Sequence, residues 1–288
     1  MKKRVKILVP TIILGLFAFL VIAASLYLIF TNTGVHVSKI TVSDGDLPES
    51  FDGYKIVQVS DLHNEEFGKD NRRLINKIKK CEPDIIVITG DLIDCDRTDI
   101  DLAVDFVSEA LKIAPCYFVG GNHEGRINAE ESLYKELASL GVTILDDTST
   151  EITKDGEKIT LYGVHDPESL KGETYGYGEI GILEKRLGEL EVSKGYSLLL
   201  SHRPEGFDFY CEMGFDLVLT GHVHGGQVRI PFIGGLYGPG QGLFPEYDSG
   251  LYQKESTFMI VSRGLGNSSI PIRINNTPEI IEITLTNH

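Results

Sequence analysis

From Ile7 to Phe30 the chain runs without a formal charge, directly behind Lys2, Lys3, Arg4 and Lys6. As a helix rising about 1.5 Å per residue, this stretch reaches about 36 Å, enough to cross a hydrocarbon layer of roughly 30 Å with some tilt. A cleaved signal peptide has a shorter apolar region, about 7–15 residues, ending at a small-x-small site. Here Ala23-Ala24-Ser25 is followed by more apolar residues. The pattern predicts a basic stub over 1–6 and a retained transmembrane helix over 7–30. The basic residues before the span, against Lys39 alone soon after it, predict a single-pass membrane protein with a cytoplasmic N-terminus and an extracytoplasmic body.

Residues 31–50 read as a polar connector with one strand-like piece, Ile40 to Val42, and 51–288 as the body. In the body, apolar runs end in polar clusters: "YKIVQVSDLH", "DIIVITGD", "CYFVGGNHE", "YSLLLSH" and "DLVLTGHVH". Short continuous runs of Val, Ile and Leu predict strands buried on both faces. Helical periodicity follows Thr98, a candidate N-cap, through Ala103, Phe106, Val107, Ala110 and Leu111. A second helix is predicted by Asn128 with Glu131 in a capping-box pattern ahead of Leu133, Leu137 and Leu140, with Gly141 as its stop. The later chain is strand-rich, with a hairpin around Asp155-Gly156 and strands in "TFMIVSRG" and "EIIEITLT". Alternating strands and helices followed by a strand-rich half predict an α/β (α+β) fold with two packed sheets and helices outside them.

Charge narrows the function. Without the four leading positive residues, the net charge of −15 becomes −19 for the rest of the chain, which argues against nucleic-acid binding. An anionic substrate would need a local source of attraction, such as a metal cluster. Cys81, Cys95, Cys116 and Cys211 lack C-x-x-C spacing, so neither a zinc knuckle nor a thioredoxin-type motif is indicated, and no disulfide is assigned.

The polar clusters stand at strand C-terminal ends, where open α/β sheets place ligands. They contain Asp61 and His63, Asp91, Asn122 and His123, His202, then His222 and His224. Any one of them could be a turn residue, but turns do not require histidine. Imidazole nitrogens with carboxylate and amide oxygens suit Mn, Zn, Fe or Ni. There are too many donors for one ion; a pair about 3.5–4 Å apart sharing a carboxylate would use nearly all of them.

"DLH", "GDLID", "GNHE", "SH" and "GHVHGG", in this order over Ser60 to Gly226, resemble the calcineurin-like metallophosphoesterase superfamily. The resemblance implies a four-layer αββα sandwich with two mixed sheets and a site for two divalent metal ions. Asp61, His63 and His224 would hold one ion, Asn122, His202 and His222 the other, and Asp91 would bridge them. His123 would protonate the leaving-group oxygen, and Asp94 would orient His123. Cys95 and Asp96 follow Asp94 where serine/threonine phosphatases of the superfamily have Arg-Gly, which weighs against that type. "VSRGLGNSSIPIRINNTPEI" with "DLHNEEFG" is closer to a membrane-associated bacterial branch, some members of which cleave UDP-2,3-diacylglucosamine. That cytoplasmic substrate fits poorly with an outside-facing site.

The expected activity is metal-dependent hydrolysis of a phosphoric mono- or diester, either a small phosphate ester or a lipid- or envelope-linked phosphate. The alternative is a non-enzymatic, metal-stabilised binding module on the same fold. Arg263 and Arg273 are candidates either for contact with phosphate or for a surface or strand-pairing role, and Asn64 for contact with substrate or for shaping its turn. His165 reads as a cleft residue or a turn histidine. Phe232, Tyr237, Phe244, Tyr247 and Tyr252 either form an apolar wall or pin a glycine-rich loop to the body. The sequence carries no signal for oligomeric state.

Overall fold

The computed structural model describes residues 2–127, 130–169, 178–267 and 271–288. The apolar N-terminal stretch is one helix, α1 (Lys2–Thr33), longer at both ends than its uncharged core. Its segment Ile12–Thr33 is long and apolar enough to cross a membrane. Polar side chains within it bond back to their own helix: Ser25 Oγ donates to Val21 O at 2.9 Å and Thr31 Oγ1 to Tyr27 O at 3.0 Å. This satisfies hydroxyls that lipid could not.

Two mixed sheets form the body. The first contains β1 (His36–Ser43), β2 (Lys55–Val59), β3 (Ile85–Thr89), β4 (Cys116–Val119) and β5 (Thr143–Ile144). The second begins with β6 (Thr148–Lys154), β7 (Glu157–Gly163), β8 (Ser197–Leu200) and β9 (Leu217–Thr220). Two small ribbons follow, β10 (Arg229–Ile230) with β11 (Gly234–Gly235), and β12 (Tyr237–Gly238) with β13 (Gly242–Leu243). Then come β14 (Gly250–Lys254) and β15 (Thr257–Val261), which complete the second sheet, and β16 (Glu279–Thr286), which returns to the first. The strand orders are β1-β16-β2-β3-β4-β5 and β14-β15-β9-β8-β7-β6. The predicted hairpin at Asp155-Gly156 is the β6–β7 turn. The connector's strand is longer than Ile40 to Val42, and β1 pairs in parallel with β16, so the sheet starts within residues 31–50.

Alternation along the strands explains the layers. Ile56, Ile85, Val87, Leu198 and Leu200 meet between the sheets. Val57, Val59, Ile86 and Ile88 face the opposite way, against α2 (Arg72–Cys81), α3 (Ile100–Leu111) and α5 (Glu130–Leu140), which follows the short α4 (Asn122–Arg126), through Leu74, Phe106 and Leu133. Leu199, Val218 and Met259 pack on α6 (Gly178–Gly188) and α7 (Phe207–Met213). Three cores between four layers give the αββα sandwich. The N-cap of α3 is Asp99, which accepts from Leu102 N at 3.0 Å; Thr98, the expected cap, donates to Asp94 O instead. Asn128 lies outside the described residues.

Buried Gln58 ties the two sheets near the strand ends, its Nε2 donating to Thr89 Oγ1 at 3.0 Å and to Thr220 O at 2.8 Å.

Candidate metal centre

Each of β2, β3, β4, β8 and β9 ends in a sharp turn that carries a candidate donor. Five of these residues adopt left-handed backbone: Asp61 (φ 52°), His63 (48°), Asp91 (52°), His222 (70°) and His224 (49°). Such conformations cost roughly 1–3 kcal/mol each in a non-glycine residue and persist where the surrounding fold enforces them. Gly221 and Gly226 allow the close approaches. A methyl on Gly221 would overlap Ser60 Oγ, and Gly226 has φ 75° with the Gly235 backbone packed against it.

The turns bring the donors together. Asp61, His63, Asp91 and His224 form one group and Asp91, His202 and His222 another, the donor atoms in each lying within 4.8 Å of one another. Asp91 belongs to both. Asp91 Oδ2 lies 3.2 Å from His202 Nε2 and 3.5 Å from His63 Nε2. Buried Asp61 Oδ2, His63 Nδ1, Asn122 Oδ1 and His222 Nε2 have no hydrogen-bond partner among the described residues. Buried polar atoms are seldom left so, and here they converge on donor groups that could hold a cation. The nitrogen and oxygen donors fit borderline divalent metals.

Neighbouring groups aim these side chains. Asp61 Oδ1 accepts from His222 N at 3.0 Å, and Asp91 Oδ1 from His123 N at 2.8 Å. His202 Nδ1 lies 2.8 Å from Thr89 O and donates to it, which leaves Nε2 facing Asp91. Buried Glu124 ties the Asp91 and Asn122 turns together: Oε2 accepts from Asp91 N at 2.8 Å and Gly121 N at 2.7 Å, and Oε1 from Ile93 N at 3.1 Å.

Burial, the dominant influence, lifts the Asp61 carboxyl to about 6 against the pull of His202. It presses His63 down to about 3 against the pull of Asp91, and holds His222 and His224 well below the usual imidazole range. Burial also opposes charge on Asp91 and His202. Facing each other, however, they keep Asp91 well below the carboxylate range and raise His202 to about 10. The centre therefore offers anionic oxygen and neutral imidazole, with a proton on His202 that an incoming cation would displace.

His123 Nδ1 accepts from Cys95 N at 3.0 Å, which places the proton of the neutral ring on Nε2. Its ring stands edge-on to His63 at 4.4 Å. Asp94, grouped with His63 and His123, accepts from Asp96 N, Arg97 N and Arg97 Nη2 at 2.9, 3.1 and 3.1 Å. Asp91, Asn122, His123, His222 and His224 floor a cleft of about 370 Å³ walled by Arg126, Arg203, Gln227 and Tyr237.

Arg203, Arg126 and Glu124 were not singled out in the sequence. Arg203 is buried and bidentate on Asp166, with Nε to Oδ2 at 2.7 Å and Nη2 to Oδ1 at 3.1 Å, and it also reaches Glu168 at 2.9 Å. Its place directly after "SH" was the available signal. Arg126 Nε donates to Glu168 at 2.6 Å.

Arg273, Arg263, His165 and Asn64 do not line the cleft. Arg273 is buried and spans carbonyls, with Nη1 donating to Arg263 O at 2.7 Å and Nη2 to Gly266 O at 2.6 Å; Nη2 also reaches His224 Nδ1 at 3.1 Å. Arg263 pairs with Glu279. His165 pairs with Glu130 at 3.0 Å. Asn64 shapes its turn, its Oδ1 accepting from Asp94 N at 3.0 Å and Asp99 N at 3.2 Å. All four cysteines are free thiols. The loop aromatics divide: Tyr247 packs on Phe207 and Tyr252 at 5.6 and 5.2 Å, whereas Phe232, Tyr237 and Phe244 are exposed.

The calcineurin-like phosphoesterase family pattern matches residues 54–226. A metallophosphoesterase of Bacillus subtilis (strain 168), YkuE, is 33% identical over 260 residues, 87% of this chain and 85% of that one. A transmembrane protein with metallophosphoesterase domain from Danio rerio is 29% identical over 248 residues; the match takes in 83% of this chain but only 54% of the relative. Among solved structures, TT1561 of Thermus thermophilus shares the fold at a TM-score of 0.50 and 14% identity, over 74% of this chain and 90% of that one.

Proposed function

The chain belongs to the calcineurin-like phosphoesterase family, and from that premise we propose that it is a membrane-anchored phosphoric ester hydrolase with a dinuclear metal centre. Asp61, His63 and His224 would hold one ion, and Asn122, His202 and His222 the other, with Asp91 shared. The observation that carries this reading is the membership of Asp91 in both donor groups, together with the converging unpartnered atoms of Asp61, His63, Asn122 and His222. When bound, two divalent cations supply an activated water and neutralise phosphate charge.

The chain's own residues supply the rest. His123, with its proton on Nε2 and its ring on the cleft floor, donates a hydrogen bond to the leaving-group oxygen and stabilises the negative charge that develops there. Asp94 acts through His123 as a positioning residue. Arg126 and Arg203 stand at the cleft wall, but Glu168 and Glu179 line it with them and balance their charge, so attraction of a phosphate ester would fall to the bound cations. The span Ile12–Thr33 anchors the body, and the basic residues before it support an outside-facing active site. The substrate is a phosphomono- or diester, and the anchor favours one carried by lipid or envelope material.

The test is hydrolysis of p-nitrophenyl phosphate and its bis-ester by the full chain with added Mn²⁺ or Zn²⁺. Metal-dependent turnover that Asp91→Ala abolishes, with the fold retained, supports the reading. Metal-independent turnover, no turnover by a folded and metal-loaded chain, or an unaffected variant would refute it.

A further inference from the structure

Apart from Leu140 and Leu251, the exposed large apolar side chains among the described residues of the body lie on one small apron formed by the two ribbons and the adjoining segment near Ile272. Phe232 is 109% exposed relative to an extended reference, Leu243 69%, Ile233 65% and Phe244 55%. A soluble surface rarely gathers such side chains, and where it does they mark an interaction site.

The apron is stitched to the end of α1. The Tyr27 hydroxyl bonds to Asn275 Oδ1 and accepts from Asn275 N at 3.2 Å. Asn32 Nδ2 donates to Arg273 O at 2.9 Å while its Oδ1 accepts from Arg273 N at 2.7 Å. Asn275 Nδ2 in turn donates to Arg229 O at 3.2 Å, and Arg229 N to Ile274 O at 2.9 Å. Arg229 opens the ribbon whose turn carries Phe232 and Ile233. Leu236 N donates to Val228 O at 2.8 Å and Phe244 N to Leu236 O at 2.9 Å, which extends the apron to the second ribbon. Tyr27 lies about 4.5 Å before the apolar stretch ends at Phe30, so a membrane-spanning α1 would set its hydroxyl and Asn275 near the lipid–water boundary, a depth tyrosine favours. The other side of the apron, through Gln227, Tyr237 and Gly240, walls the cleft.

We propose that this apron is a bilayer-seating surface. With α1 spanning the membrane, Phe232, Ile233, Leu243 and Phe244 enter the phospholipid interface beside the helix and hold the cleft mouth there. The inference rests on the membrane-anchored reading and is independent of catalysis.

The chain contains no tryptophan, so one introduced indole reports alone. Phe232→Trp, Phe244→Trp, Leu16→Trp in the span and Leu140→Trp would each be made in the full chain. Leu140 ends α5 beside β5, at the edge of the first sheet opposite β1. Each variant is reconstituted in phosphatidylcholine vesicles with plain or brominated acyl chains. We expect Phe232→Trp and Phe244→Trp to show blue-shifted emission and lose intensity in brominated lipid, as Leu16→Trp does, while Leu140→Trp emits as in water and is unquenched. Water-like, unquenched emission from both apron variants beside a quenched Leu16→Trp would overturn the proposal. Unquenched Leu16→Trp would overturn the anchor and the apron together, while leaving the hydrolytic reading to its own assay.

Discussion

Replacing Arg203 with methionine removes the guanidinium but keeps much of the apolar stem. In the folded chain both oxygens of Asp166 accept from Arg203, and Asp166 is 1% exposed. The variant leaves that carboxylate in the interior, where Glu168 N at 2.9 Å still donates to Oδ1. Breaking a buried ion pair in this way costs about 3–5 kcal/mol. The contacts with the more exposed Glu168 and Glu179 each add at most about 1 kcal/mol, because solvent screens them. For a body of this size, the ion-pair loss alone corresponds to a fall in Tm of roughly 6–20 °C. Thermal melts of the full chain in detergent, with chelator present, read it free of any metal contribution. Arg203→Met combined with Asp166→Asn removes the stranded charge and should recover much of the loss. A single variant melting within about 2 °C of the parent, or a double variant no better than the single, would refute a stabilising buried ion pair between Arg203 and Asp166.

Glu124→Gln keeps an acceptor for the Asp91 and Gly121 amides but turns an amide donor toward Ile93 N. Leaving that donor unsatisfied should cost about 1–3 kcal/mol in chelator-treated melts, against no measurable change for exposed Glu151→Gln. His123→Ala should retain metal while hydrolysing esters with poor leaving groups far more slowly than activated ones; an equal loss on both would count against the leaving-group role. Burial opposes charge on His165, but Glu130 and Asp146 more than offset it and raise its pKa. Its stabilising contribution is therefore full below the unfolded value of about 6.5 and lost as pH rises through the folded one. Urea melts should show His165→Gln costing more stability at about pH 5.5 than at about pH 8.5, and an equal cost at both would contradict this.

Much of the site was legible because its residue types are unusual where they stand. Runs such as "DIIVITGD" read as strands buried on both faces, and β2, β3, β4, β8 and β9 follow those runs. Histidines and aspartates at their ends then signalled chemistry rather than turns. Thr98 and Asp99 are adjacent residues of similar capping ability, so composition could not separate them. Arg203 and Glu124 take their importance from partners distant in sequence, and isolated polar letters do not reveal those partners. The left-handed backbone at Asp61, His63, Asp91, His222 and His224 was hidden for the same reason: it is imposed by tertiary closure of the turns against local preference. The loop aromatics separated only when the fold showed Tyr247 and Tyr252 packed on the body and Phe232 and Phe244 facing outward.

The proposed dinuclear centre is tested most directly by metal stoichiometry. The full chain and Asp91→Ala would be stripped with chelator, reloaded with Mn²⁺ or Zn²⁺, freed of excess ion and measured by elemental analysis. The shared position of Asp91 predicts about two ions per parent chain and loss of both from the folded variant. A folded parent that saturates at about one ion or none, or a variant that retains two, would contradict it.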